Sequence, residues 1–116
     1  MKKILMIVTA GLFATAGLKA QSIQEGVNHL YADRFKSAIA VFEKLIAANP
    51  NNTDATYWLG QTYLDEDKND LARQLYDKAL TTSNNAPLIL VGRGHVDLLD
   101  KKTNEAKQKF ETALTA

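Results

Sequence analysis

The chain repeats itself every 34 residues. Gly26, Gly60 and Gly94 keep that interval, as do Ala38, Ala72 and Ala106 and the aromatics Phe42, Tyr76 and Phe110. Leu45, Ala79 and Ala113 form a fourth column, and Ile46, Leu80 and Leu114 a fifth, all in register without an insertion. A fixed period of this size describes stacked supersecondary units, none of which can bury its own apolar face alone. Expectation turns accordingly toward binding and away from catalysis.

A different kind of segment precedes the repeats. Lys2 and Lys3 stand before an apolar stretch of 15 residues, Ile4 to Leu18, and Lys19-Ala20 leads into the polar Gln21-Ser22. That order describes a secretory signal peptide over residues 1–20, cut after Ala20. The run is short for a permanent span, which needs about 20 apolar residues. Leu18 is larger than the side chain preferred three residues before a cut, and an uncleaved signal anchor is the alternative reading. Residues 21–116 then form the folded part, exported and periplasmic or associated with the cell envelope.

Charge and cysteine content narrow the partners. The leader holds three of the 14 basic residues (Lys2, Lys3 and Lys19) and none of the 13 acidic ones, leaving 11 against 13 and a net charge of −2. Nothing in this balance suggests a nucleic-acid footprint, and no block of like charge suggests a membrane-surface stripe. There is no cysteine, hence no disulfide, thiolate metal site or cysteine nucleophile. Helix packing must supply the stability.

Within residues 21–116, Pro50 and Pro87 fall between apolar-periodic stretches, in the breaks Asn49-Pro50-Asn51-Asn52 and Ser83-Asn84-Asn85-Ala86-Pro87. Weaker polar breaks, Asp33-Arg34, Asp67-Lys68 and Lys101-Lys102, divide each copy. Six helical segments follow, roughly 22–32, 36–48, 54–66, 69–82, 87–99 and 103–115, in three hairpins with repeats near 21–52, 53–86 and 87–116. Ser22 and Glu25 are spaced as a capping box, and Pro87 suits a first helical turn. The second helix of each pair is amphipathic: Ala38, Val41, Phe42, Leu45 and Ile46 recur at spacings of three to four, with Glu43 and Lys44 opposite. Glycine in a helix costs about 1 kcal/mol relative to alanine. Three helices that accept it at one interval predict a close contact there, with the aromatic column filling space toward the next hairpin.

These residues resemble the tetratricopeptide repeat. The signature runs through the middle copy as Trp58-Leu59-Gly60, Tyr63, Ala72, Tyr76, Ala79 and Leu80, with Thr56 where the family usually has its tryptophan. The first copy contributes Gly26, Phe35, Ala38, Phe42 and Pro50, and the third Gly94, Ala106, Phe110, Ala113 and Leu114. The resemblance implies an all-α, right-handed superhelical array of about three helix-turn-helix hairpins. It departs from the pattern where His29 and Asp97 replace the ring present as Tyr63. The third copy ends at Ala116 without a polar capping helix, so Phe110 and Leu114 are expected on an open face. That face would serve self-association, a partner, or continuation into a longer array.

The residues of common chemistries are not assembled. His29 and His95 are the only histidines, and neither lies in a nucleophile motif. His95 and Asp97 are two apart on a helix and point to different sides. Asp65, Glu66, Asp67 and Asp70 cluster at a turn but lack a calcium-loop pattern, which makes a solvated corner. Gly92-Arg93-Gly94-His95 lacks the strand and third glycine of a dinucleotide fingerprint. No enzyme activity, metal or cofactor is expected, and His29 reads as a semi-buried packing residue.

The resemblance further implies a concave groove, lined by the first helix of each pair, that holds a peptide or helix. Its candidate residues are Val27, Tyr31, Asp54, Tyr57, Trp58, Gln61, Asp65, Val91, His95 and Leu98, with Ile23, Leu88 and Gly92 beside them. Tryptophan and tyrosine are favoured interface anchors, although Tyr57 and Trp58 serve equally well as packing residues. Some family members grip a C-terminal carboxylate with basic side chains. The matching positions here are Ile23, Val27, Trp58, Leu88 and Gly92, none of which donates a charge-assisted bond. The lining favours an apolar or aromatic guest, with Asp54 and Asp65 open to basic side chains.

Overall fold

The computed structural model describes residues 22–83 and 85–116. The expected signal peptide and Asn84 lie outside the described residues. Among the described residues six helices follow one another: α1 (22–31), α2 (Phe35–Ala48), α3 (Thr53–Asp65), α4 (Asn69–Thr82), α5 (Pro87–Leu99) and α6 (Thr103–Thr115). The ends match the sequence expectation to within a residue. Each helix packs on the next from α2 onward, and α3 also packs directly on α5. The result is a helical repeat array of three hairpins, with α1, α3 and α5 as the first helices.

The three turns inside the hairpins are built alike. Asp33, Asp67 and Lys101 each take a positive φ near 60°. Around them the N–H groups of Arg34, Lys68 and Lys102 reach back to the carbonyls of His29, Tyr63 and Asp97, all at 2.8 Å. The N–H groups of Asp33, Asp67 and Lys101 bond the carbonyls of Leu30, Leu64 and Leu98 at 3.0 to 3.1 Å. This pair of bonds is a Schellman ending, which satisfies the free carbonyls of the first helix. Glycine is the usual residue at the left-handed position, so a chain without it there accepts strain at all three turns.

Between hairpins the starts of the first helices are fixed locally. Asn52 caps α3, its side chain accepting from the Ala55 N–H at 3.1 Å. Pro87 occupies the first turn of α5, where its missing N–H is not needed.

The glycine column has one structural meaning. A methyl group added at Gly26, Gly60 or Gly94 would stand under 3.0 Å from a ring atom of Phe42, Tyr76 or Phe110 respectively. Each glycine therefore admits the aromatic of its own hairpin 16 residues later. Gly92 meets Tyr76 in the same way, so this ring is clasped between a glycine of its own hairpin and a glycine of the next. Gly92 is buried, and the expectation that it borders the groove gives way to a packing role. Phe42 likewise reaches forward, in a core with Ala55 and Leu59 of the second hairpin. Phe42 and Tyr76 are fully buried, each burial stabilising by about 1.5–3 kcal/mol.

The third hairpin departs from the pattern. Asp97 stands in the column of Tyr63 and is 1 % exposed. Its two carboxylate oxygens accept from Arg93 and Lys109, each at 2.6 Å, and Arg93 also bonds Asp77 of α4 at 2.6 Å. Arg73 of α4 ties to Asp100 at 2.6 Å and to Asp70. A buried carboxylate is tolerated only with such partners, and here they bolt α4, α5 and α6 together.

Candidate functional site

Helices α1, α3 and α5 bring part of the expected groove together. Tyr31, 74 % exposed at the end of α1, sets its ring edge-to-face on Trp58 of α3, with centroids 6.3 Å apart. Tyr57 meets the same indole edge-on at 5.3 Å. Trp58 and Tyr57 are both half-buried, so each anchors in the array and shows part of a ring. Edge-to-face pairs are worth about 0.5–1.5 kcal/mol beyond area, which holds this surface in a defined shape. Burial, with a smaller contribution from the neighbouring Tyr31 side chain, pushes the Tyr57 hydroxyl above its ordinary pKa.

Gln61 continues the wall one turn on. Its Nε2 donates to the Tyr76 hydroxyl at 3.1 Å, and that hydroxyl donates to the Tyr57 carbonyl at 2.7 Å. Burial raises the Tyr76 pKa strongly, and the neutral phenol works as a strut behind the groove. Farther along lies a depression of about 350 Å³ between α3 and α5, lined by Gln61, Leu64, Asp65, His95, Leu98 and Leu99. His95 rests on the Phe110 ring at 5.9 Å, and burial lowers its pKa.

Seven of the ten candidate residues fall in these two neighbouring regions. Asp54 is exposed in the first turn of α3. Val27 is buried in the N-terminal core, with Ile23 packed beside it. Val91 lies apart, in an apolar depression of about 490 Å³ with Pro87, Leu88, Phe110, Ala113 and Leu114. That is the outer face of the last described hairpin, where Leu114 is 86 % exposed. Phe110 is only half-buried there, unlike Phe42 and Tyr76. Leu64 and Leu99 were missed by sequence reasoning. Their signal was position alone, in the last turns of two consecutive first helices.

Charge on the first helices is one-sided. Among their described residues α1, α3 and α5 carry no lysine, and their one arginine, Arg93, is spent on Asp77 and Asp97. Among the described residues no group of three or more histidine and acidic side chains is placed to hold a metal. No helix there is long and apolar enough to cross a membrane.

Comparison with known proteins agrees with the fold. A family profile described as tetratricopeptide repeat matches residues 23–87. No curated protein sequence matches. Among solved structures, the Yersinia enterocolitica type III secretion translocator chaperone SycD is 18% identical, with a TM-score of 0.69 over 82% of this chain and 72% of its own. The second such domain of Spaghetti (RPAP3), bound to the HSP90 peptide SRMEEVD, is 25% identical, with a TM-score of 0.68 over 84% and 90%. MamA is 24% identical, with a TM-score of 0.67 over 84% and 57%.

Proposed function

The chain belongs to the tetratricopeptide repeat family, and from that premise we propose that it is an exported scaffold or adaptor without catalytic activity. It holds a segment of another protein along α1, α3 and α5. The observation that carries this reading is the Tyr31–Trp58–Tyr57 cluster, exposed at Tyr31 and half-exposed at the other two rings, with the depression at Gln61 on the same helix α3. Rigid rings of this kind bury a large area at low entropic cost when a guest covers them.

The similar Spaghetti domain holds a peptide, so the shared architecture accommodates a peptide guest. That peptide, SRMEEVD, is acidic toward its end. A groove whose first helices offer no unpaired cation selects the opposite chemistry: apolar or aromatic side chains accompanied by basic ones.

Trp58→Ala tests the groove in a pull-down from the cell envelope. Loss of the main partner is expected, and an unchanged set of partners refutes it. Export is supported by the order of residues 1–20. Sequencing the N-terminus of the protein recovered from cells should find Gln21 first.

The open C-terminal face favours a second reading, in which two copies meet through Phe110 and Leu114. An exposed apolar patch of this kind is a usual contact surface. Mass measurement in solution tests it: Leu114→Glu should convert a dimer to a monomer, and a native chain that stays monomeric at high concentration removes the reading.

A further inference from the structure

The two junctions between first helices are built differently. At the first, Tyr31 lies on Trp58. One period later the same two columns hold Asp65 and Gly92. Neither of these two columns supplies a ring at the second junction, because Asp65 ends α3 and Gly92 is buried under Tyr76. Where the first junction holds a ring pair, the second holds the depression of about 350 Å³ with one carboxylate in its lining.

We infer that this junction between α3 and α5 is a specificity site for a lysine or arginine side chain of the guest segment, an inference that rests on the groove reading above. Leu64, Leu98 and Leu99 offer apolar surface to a methylene stem. Asp65 is exposed and forms no ion pair among the described residues, whereas Glu66 pairs with Lys68 at 3.4 Å and Asp100 with Arg73. α3 ends at Asp65 and α5 at Leu99, so two helix C-termini flank the depression, and neither helix has a basic residue in its last turn. Helix C-termini carry partial negative charge and favour cations. His95 adds no opposing charge at neutral pH, since burial lowers its pKa. Lys101 and Lys102 follow α5 outside the lining, and the pKa of Asp100 is lowered mainly by its hydrogen bond from Arg73, with Lys102 a smaller contributor.

The geometry also sets a spacing. Trp58 and Asp65 are seven residues apart on α3, about 10 Å along the axis. An extended guest covers that distance in about three residues. The expected pattern is an aromatic or large apolar residue with a lysine or arginine about three positions away.

A random twelve-residue peptide display library, selected on the purified protein and counter-selected on Trp58→Ala, tests this. Selected peptides should carry the aromatic–basic pattern. Replacing the basic residue of a selected peptide by norleucine should weaken binding about three- to fivefold, and Asp65→Asn should erase that difference. Trp58-dependent peptides without a basic residue, or a lysine advantage that survives Asp65→Asn, overturn the inference and leave the groove reading standing. A selection that yields no Trp58-dependent peptide overturns both.

Discussion

Substituting Gly60 by alanine isolates the contact on which the stacking depends. Helix propensity alone favours alanine by about 1 kcal/mol. The new methyl group, however, would collide with Cζ and Oη of Tyr76. That ring cannot yield easily, because it is fully buried and its hydroxyl is held by the Tyr57 carbonyl and Gln61. Overpacking of this kind costs about 1–3 kcal/mol, and breaking the two hydroxyl bonds adds about 1 kcal/mol each. The net expectation is a loss of about 2–4 kcal/mol, or roughly 10–30 °C in melting temperature for a domain of this size. Gly94→Ala meets the same kind of ring in Phe110. That ring is only half-buried in the last described hairpin and can swing outward, so the loss should stay below about 1 kcal/mol. Thermal and urea unfolding followed by circular dichroism read both variants. Equal losses at the two sites, or a Gly60→Ala protein as stable as the parent, would refute the reasoning.

Three further outcomes follow from other parts of the fold. Asp97→Ala leaves Arg93 and Lys109 without their shared carboxylate and should cost about 2–4 kcal/mol in urea unfolding, toward the lower end if the freed cations reach water. Lys101→Gly relieves a left-handed lysine and should stabilise by about 0.5–1 kcal/mol, seen as a melting temperature several degrees higher. The folded-state pKa of His95 is depressed by burial from 6.5. On acidification the unfolded chain therefore takes up a proton first, and stability should fall from about pH 6.5 down to the folded-state pKa. His95→Gln should remove that step from a pH series of urea midpoints.

The architecture was legible because it is periodic. Five columns at one interval are a property of the sequence alone, and they place the helices, the breaks and a close approach at the glycines. That each ring sits on the glycine of its own hairpin was not legible in them, because the spacing directed the aromatics toward the next hairpin. The polar breaks at Asp33, Asp67 and Lys101 were visible as turns, but their left-handed backbone was not, since glycine is the residue that normally announces it. Asp97 read only as a departure from the ring column. Its burial depends on Lys109, 12 residues away, and through Arg93 on Asp77 of the preceding hairpin, a network present in one copy and therefore invisible to periodicity. Gly92 was misplaced for a related reason: a position on the groove-facing helix turns inward once Tyr76 needs room from both sides. Tyr31, Tyr57 and Trp58 were each legible as groove candidates through the family resemblance, but the contact of Tyr31 with Trp58 across two first helices was not, because it depends on how the helices stack. The depression at Asp65 was not, because it is defined by the side chains its columns lack.

Site-specific photo-crosslinking tests most directly whether the first helices hold a guest chain. A photoreactive phenylalanine analogue placed at Tyr31 or Gln61 in the producing cell should join the protein to one discrete partner. The same analogue at Gln74, exposed on the second helix of the middle hairpin, should not. Capture at Gln74 with none at positions 31 and 61 would contradict a groove lined by α1, α3 and α5.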